Sequence, residues 1–461
     1  MTLVNIISAI GNNSSIYPLL VRDCGIEAPS KIIIARRENL KESKEIANDA
    51  TREKFIDEYA TSAIWLGGIP ATEYVVDKFI SKKGFNPNVN LKLFKEEEDL
   101  KNTPNEIFQG IEYNIKKFAN NKSKEVQEAI ADLVKVKDNK AKFEGLLTKK
   151  FVAATVIPTL IMGFVLPKLN FALTRKIREN KAKNNTENNK NIQNQKTTFT
   201  SFDRNIFNEF SNSKNKNINF TGNLTSTIAN LRTVDKMAIS DGGLTVGRVS
   251  TSRNKEEGYA NAFRMIGSMI LNFVTPAYIA KGLDKLAEKV FKINVNLDPK
   301  ILNNREFINA MVENKIDLPK SNSAKDLFEF IDTNPKSYFS QFAKDMNIVS
   351  YLSNDIRDPR KYVNIKDLQN FKTEFESFIN SARKTTNNSN TKEEIARNIE
   401  KFAKKAKYIK CANILANVGI SSFLLAGVLP TLTYEFIKLT TGSYSDPGLV
   451  TKNKQSSFKK S

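Results

Sequence analysis

Residues Cys411–Leu439 read C-A-N-I-L-A-N-V-G-I-S-S-F-L-L-A-G-V-L-P-T-L-T-Y-E-F-I-K-L, and no charged side chain occurs from Cys411 to Tyr434. A helix needs roughly 20 apolar residues to cross a hydrocarbon layer, so this stretch, block D, is long enough to span. Three shorter stretches share its layout. Block A is Y-A-T-S-A-I-W-L-G-G-I-P-A-T-E-Y-V-V-D-K-F-I from Tyr59 to Ile80, charge-free as far as Thr72. Block B runs from Phe151 to Ile177 and is charge-free as far as Pro167. Block C runs from Met265 to Val290 and is charge-free as far as Ala280. B and C are of borderline length, and A is short enough to be re-entrant, interfacial or plain core.

Aligned on Pro70, Pro167, Pro276 and Pro430, three blocks agree at two further positions. Tyr74, Phe171 and Tyr434 stand four residues after the proline; Lys78, Arg175 and Lys438 stand eight after it. Block C departs, with Ala280 and Asp284. Proline removes a backbone donor and crowds the preceding turn, so each block reads as an apolar helix kinked at its proline. Aromatic rings followed by a long basic chain suit a membrane interface. Internal likeness of this kind reads as a repeated unit, although any kinked amphipathic helix favours such residues near its end.

The fold expected is therefore mainly α: a membrane-associated helical protein with repeated proline-kinked apolar helices and helical soluble regions. Residues 1–58 form an N-terminal region with no clear place, and Lys31–Arg36, K-I-I-I-A-R, is the best strand candidate. Block A occupies 59–83, a helical soluble region 84–150, and block B 151–178. A low-complexity linker follows over 179–198, then a mixed, loop-rich region over 199–262. Block C takes 263–291, a helical soluble domain 292–410, block D 411–439, and a disordered basic tail 440–461. Within the soluble regions, Thr103-Pro104-Asn105-Glu106 and Thr391-Lys392-Glu393-Glu394 carry helix-start signatures. Ile107, Ile111, Ile115 and Phe118 lie at helical spacing, as do Leu368, Phe371, Phe375 and Phe378, and Ile395, Ile399 and Phe402. Such stripes face a core.

Composition excludes several chemistries. The chain has no histidine, which removes Ser-His-Asp and Cys-His catalysis and every imidazole metal ligand. Cys24 and Cys411 are its two cysteines and form no CxxC pair. Hydrophobic residues at 40% and charged residues at 26% argue against a chain disordered throughout and against a polytopic transporter. The net charge of +21 suits an anionic partner, but the abundance of Asn and Lys reads first as compositional bias, so nucleic acid is not the expected partner. The N-terminus lacks a basic leader, so internal segments must do any inserting.

No residue is assigned a catalytic or metal-binding role. The most motif-like stretch is Asp241–Arg248, D-G-G-L-T-V-G-R. Gly242 and Gly247 have the spacing of a phosphate-cradling loop, with Gly243 between them, but Arg248 and Val249 stand where the motif needs lysine and Ser or Thr. A glycine-rich turn leading to block C is the better reading. Asp57-Glu58 is a candidate carboxylate pair, and Glu73 is the lone acid inside block A's apolar stretch.

Three phrases resemble ones in uncharacterised Asn/Lys-rich bacterial membrane proteins: R-D-C-G-I-E at Arg22–Glu27, I-D-E-Y-A-T-S-A-I-W-L-G-G-I-P at Ile56–Pro70, and L-P-K-L-N at Leu166–Asn170. The resemblance covers the part of the chain from Met1 to Asn170 and implies a location without implying an activity. The expectation is a membrane-anchored structural or interaction protein of the bacterial cytoplasmic membrane, with its soluble regions mainly cytoplasmic. Its partners would be the bilayer, anionic lipid headgroups, and other membrane proteins or a second copy; no cofactor is expected. One alternative is a basic peripheral binder of anionic lipid or nucleic acid. Another is a membrane-bound enzyme using carboxylates or the Gly242–Gly247 stretch. Basic residues flank blocks B and C on both sides, which predicts that the B–C and C–D connections lie on one face, with the blocks dipping in and returning at their prolines or packing as kinked hairpins in a soluble core.

Overall fold

The computed structural model describes residues 3–11, 20–94, 108–187, 233–291, 293, 297–353, 355–387, 389 and 391–450. The architecture is almost wholly helical. Its frame is four long rods built on blocks A to D.

After α1 (Leu3–Gly11), a π-helical turn at Val21–Glu27 leads into α2 (Ala28–Leu40). Rod A is α3 (Lys44–Ala63), a π turn at Ile64–Gly68, and α4 (Ile69–Lys82). The first soluble module contains α5 (Ile111–Phe118) and α6 (Lys124–Asp138). Rod B follows as α7 (Lys140–Phe151), a π turn, α8 (Ile157–Leu160), a second π turn, and α9 (Leu166–Glu187). Then come α10 (Thr233–Ser250) and rod C, made of α11 (Lys255–Phe273) and α12 (Thr275–Phe291). The second module holds α13 (Pro299–Leu302), α14 (Arg305–Val312), α15 (Ala324–Thr333), α16 (Tyr338–Asp345) and α17 (Ile365–Lys384). Between α16 and α17 sits a small antiparallel pair, β1 (Tyr351–Leu352) with β2 (Ile356–Arg357), in which Tyr351 faces Arg357. Rod D is α18 (Lys392–Phe423), a π turn at Leu424–Val428, and α19 (Leu429–Thr441).

Each π turn ends two residues before a proline: Glu27 before Pro29, Gly68 before Pro70, Val156 before Pro158, Val165 before Pro167, and Val428 before Pro430. The residue ahead of the proline donates to the carbonyl five back, as Ile69 does to Ile64 and Leu429 to Leu424. A proline ring otherwise collides with the carbonyl four back. Widening the turn by one residue relieves that contact without ending the helix. Rod C takes another route, interrupting its helix at Val274 just before Thr275-Pro276.

The rods pair antiparallel. Asp77 of A meets Lys150 of B at 2.6 Å, and Asp49 meets Arg178 at 2.6 Å. Asp284 of C meets Lys410 of D at 2.9 Å, while Phe263 stacks on Phe436 with centroids 4.9 Å apart. Both modules therefore sit at one end of the rods. They also join each other: the Gln109 amide donates to the Val363 carbonyl and accepts from its N–H, and Asn114 donates to the Pro359 carbonyl. One module packs around Ile80, Phe85, Ile111, Leu133 and Phe143. The other packs around Phe307, Phe339, Phe375, Phe378 and Phe402.

Several expectations are corrected. Lys31–Arg36 lies in α2, not a strand: Pro29 opens the helix, and Ala35 packs against Tyr434 and Ile437, a tertiary contact that overrides the β-branched run. Residues 233–250 are a helix, not loop-rich, and α9 continues to Glu187 into the expected linker. Residues 442–450 are a folded strap over the end of the rods, so only 451–461 of the expected tail lies outside the described residues, as do the signature at 103–106 and Ile107. The rods do not turn back at Pro70, Pro167 or Pro430. B ends and C begins at the strap end, whereas C ends and D begins at the module end, so the B–C and C–D connections leave opposite ends.

The Leu368, Phe371, Phe375 and Phe378 stripe is buried, and Thr391 caps α18 by accepting from the Glu394 N–H at 3.2 Å.

Candidate functional site: an apolar belt and a buried ion-pair cluster

Rods B, C and D are each long and apolar enough to cross a membrane, over Lys140–Lys183, Lys255–Phe291 and Lys392–Thr441, stretches of 44, 37 and 50 residues. Their apolar surface is largely unused by the protein: in the most apolar 18-residue window only 39% of B, 6% of C and 28% of D is buried. The outward residues form stripes at helical spacing. On B these are Val152, Ile157, Ile161, Val165 and Leu169. On C they are Phe263, Ile266, Ile270, Val274 and Tyr278, and on D Tyr408, Leu415, Ile420, Phe423 and Leu432. A soluble monomer rarely leaves so continuous an apolar surface in water.

Inside the belt, α10 crosses rod B at glycines. A Cβ on Gly247 would lie 2.8 Å from the Gly163 backbone, and one on Gly243 would lie 2.8 Å from Thr159. The hydroxyls of Thr159 and Ser240 are 2.5 Å apart. Gly243 and Gly247, four residues apart, thus give a small-xxx-small contact that brings two backbones together. This corrects the reading of Gly242–Gly247 as a loop or turn. The segment is helical, its amides serve the helix, and Gly243 and Gly247 are used for packing. Gly242 has nothing near it.

Arg248 is buried and donates to Asp57 at 2.7 Å and to the Thr61 hydroxyl at 3.0 Å. It belongs to a cluster at the strap end of the rods. Asp49, Glu53 and Asp57 stand four residues apart on α3, and each faces an arginine: Arg178 from B, Arg253 from the α10–α11 turn, and Arg248. Arg253 also holds Glu257 at 2.7 Å and lies 4.1 Å over the Phe171 ring. Arg264 stands 3.9 Å from Asp57. Lys31 bridges Glu27 and Glu58, each at 3.2 Å. The strap closes this end. Asp446 accepts from Tyr434 at 3.0 Å and from Asn39 at 3.2 Å, and its N–H donates to Asn39 at 2.9 Å. Pro447 accepts from Asn254, and Leu449 accepts from Arg178. Burial pushes the carboxyls of Glu27, Glu53, Asp57 and Asp446 above their usual range, against the pull of neighbouring cations.

The residues chosen by alignment on the prolines meet different fates. Pro70 and Tyr74 are exposed, with Lys78 4.8 Å over the Tyr74 ring, an arrangement that suits an interface. Phe171 and Tyr434 instead turn inward to Arg253 and Asp446, which corrects their reading as headgroup-level rings. Arg175 and Lys438 are exposed, and Lys438 donates to Tyr444 at 3.0 Å. Pro167 and Pro430 are buried, and Pro276 is half-buried. Asp57 and Glu58 point to separate partners, Arg248 and Lys31, so they do not form a carboxylate pair. Glu73 is half-buried, Cys24 is half-buried, and Cys411 is buried. Among the described residues, no three Asp, Glu or Cys side chains gather as an ion-holding group.

The sequence carried one overlooked signal, the four-residue spacing of Asp49, Glu53 and Asp57. Their partners Arg178, Arg248 and Arg253 come from segments far along the chain, so nothing local announces the pairing. No family model, no curated protein and no solved structure matches the chain.

Proposed function

We propose that the chain is a membrane-embedded helical protein with a structural or interaction role, its rods in the bilayer and its two modules projecting from one face. The observation that carries this reading is the alignment of the charge-free runs, with apolar faces turned outward. Asp77–Lys150 and Asp284–Lys410 bound the band on the module side. From Lys150 to Lys168 the rise is about 27 Å at 1.5 Å per residue, close to the roughly 30 Å of a hydrocarbon core. The ion-pair cluster bounds the other side. In this reading the prolines of A, B and D kink repeated units, and the π turns let each rod stay continuous where no water could satisfy freed carbonyls. The partners are the bilayer, other membrane proteins or a second copy, and the site is the cytoplasmic membrane.

Alkaline carbonate extraction tests it: full-length protein should stay with the membrane pellet. Release into the supernatant, with a monodisperse detergent-free species, would end the reading. In a background lacking Cys24 and Cys411, Lys44→Cys and Lys366→Cys should label from opposite sides with an impermeant thiol reagent. Equal labelling of both on intact cells, or of neither, would reject a two-sided bundle.

A second reading, a basic peripheral binder, is favoured by α10. This helix runs parallel to rod B, with Ser240 at Thr159 and Gly247 at Gly163. Rod B therefore ends beyond the strap end, whereas α10 begins in the band nearer the modules. A protein resting on the membrane surface accommodates both placements without a bilayer between them, and it would be released by the carbonate wash. The enzyme reading loses its glycine loop to α10.

A further inference from the structure

The two ends of the rods treat their cations differently. At the strap end the inward-facing arginines are spent on carboxylates: Arg248 on Asp57, Arg253 on Glu53 and Glu257, Arg178 on Asp49. At the module end, α12 and the start of α18 lie side by side, joined by Asp284 with Lys410 and by Asn413 donating to Asp284 at 2.8 Å. Residues 281–291 and 400–410 together hold eight lysines against three acids, one of which is the paired Asp284. Six of those lysines are exposed: Lys281, Lys285 and Lys289 on α12, and Lys401, Lys404 and Lys405 on α18.

Their placement is regular. Lys281, Lys285 and Lys289 are four residues apart and form one line along α12. The next line holds Tyr278, Leu286 and Val290, all exposed. On rod D the exposed apolar face of Leu415 and Tyr408 continues directly into Lys405 and Lys401. Lys405 stands 5.5 Å over the Phe291 ring, itself exposed, which ties the two helices' outer faces together. Apolar and aromatic side chains at the border of an apolar belt, flanked by long cations, match the depth profile of a lipid monolayer: acyl chain below, phosphate above.

We propose that this face of α12 and α18 is a binding site for anionic phospholipid headgroups, with the six exposed lysines on the phosphates and Leu286, Val290 and Phe291 among the upper acyl carbons. The inference rests on the membrane-embedded reading above and names a partner for it. Continuity with the apolar belt favours a lipid over a nucleic acid, because a polyanion in water would leave the interleaved apolar residues uncovered.

The test uses full-length protein purified in neutral detergent and offered phosphatidylglycerol or phosphatidylcholine in mixed micelles, with retained lipid counted by native mass spectrometry. Wild type should retain phosphatidylglycerol preferentially, and salt should weaken the preference. Lys281→Gln/Lys285→Gln/Lys289→Gln should lower it about a hundredfold, since each lysine near an anionic surface contributes about fivefold. Lys401→Gln/Lys404→Gln/Lys405→Gln should act likewise, and all six together should abolish it. Lys→Arg at the same six positions should keep it, which separates lost charge from lost fold. Lys320→Gln/Lys325→Gln/Lys366→Gln, exposed on the second module, should change nothing. Equal retention of the two lipids by wild type, or an equal loss in the module control, overturns the site. So does tight duplex DNA binding abolished by the same six changes, which would assign the face to nucleic acid. Carbonate extraction of wild type and the sixfold variant is run alongside. If wild type resists and the lipids are retained equally, the headgroup site alone has failed; if wild type is released, the membrane reading has failed as well.

Discussion

Rods A and B are built to the same plan as rods C and D, yet they are covered differently. In each pair a helical hairpin leads in, α2 with α3 and α10 with α11, its second helix capped by a polar side chain, Ser43 or Asn254. The first rod carries its apolar run into a soluble module, the second returns from it, and an aspartate of the first meets a lysine of the second at the border. The difference lies in what touches the outside. Rod B is gripped by α10 through Gly163, Gly243 and Gly247, and rod A spends three acids on arginines. Rod C packs on D, where Gly267 seats Leu429, and on α10, where Met265 meets Leu244, but most of its apolar window stays uncovered. Counting apolar residues ranks B and C as near equals. Their surroundings separate them: small residues commit one face of B to protein, and large exposed residues leave the face of C uncovered.

The strongest way to break that contrast is at the glycine crossing. Gly247→Leu places a side chain where even a Cβ would sit 2.8 Å from the Gly163 backbone, and a backbone cannot step aside as a side chain can. We expect a loss of about 3 kcal/mol or more, since forced overpacking typically costs about 1–3 kcal/mol. The readout is a lower thermal midpoint in detergent. Gly242→Ala is the internal control: nothing lies within 4 Å of its Cβ position, and replacing a helical glycine should stabilise by up to about 1 kcal/mol. Unchanged melting of Gly247→Leu would show that α10 does not clamp rod B.

Rod C offers the complementary test. Ile270 is 52% exposed at the middle of its run. In water an exposed Ile→Lys change is worth within about 0.5 kcal/mol. At a bilayer centre lysine costs about 2.5–3.5 kcal/mol. Ile270→Lys should therefore sharply lower the carbonate-resistant fraction while hardly altering the melting of the modules. Ile161→Lys, exposed on rod B but next to the α10 contact, should do less, because rod B remains held by protein. Indifference to Ile270→Lys would mean that rod C faces water.

Much of this was legible in the sequence, because helical periodicity, capping and apolar runs are local. Thr391, the Phe371–Phe378 stripe and the three long apolar rods could be read from spacing alone. What escaped was decided by distant contact. Lys31–Arg36 carries the β-branched residues of a strand, but its helical state depends on packing against rod D, near the other end of the chain. Asp241–Arg248 has the glycines of a loop, but Gly247 lets Gly163 approach and Gly243 makes room for Thr159. Nothing in the polar composition of 442–450 announces a strap, because its value lies in hydrogen-bonding Asn39, Asn254 and Arg178.

That strap supports the smallest and most specific expectation. Asp446 is half-buried where the A–B and C–D pairs meet, against Tyr434 and Asn39, with Arg264 and Arg253 as the nearby cations. Burial raises its carboxyl above the ordinary value of 3.8, and the hydrogen bonds and arginines only partly offset it. The folded chain therefore holds this proton more tightly than the unfolded chain does. By linkage, the group's contribution to stability is complete below the unfolded value and is lost as pH rises through the folded one. Asp446→Asn keeps one oxygen to accept from Tyr434 and cannot ionise. It should melt below wild type at acid pH, below the unfolded value, where the wild-type carboxyl is neutral and can bond as needed. The gap should narrow or reverse as pH rises through the folded value, where wild type must bury a charge. Tyr434→Phe removes a donor to that charge, so its deficit should widen over the same interval. If the two variants track each other across pH, Asp446 is not ionising inside the fold, and the strap is held by neutral hydrogen bonds at every pH.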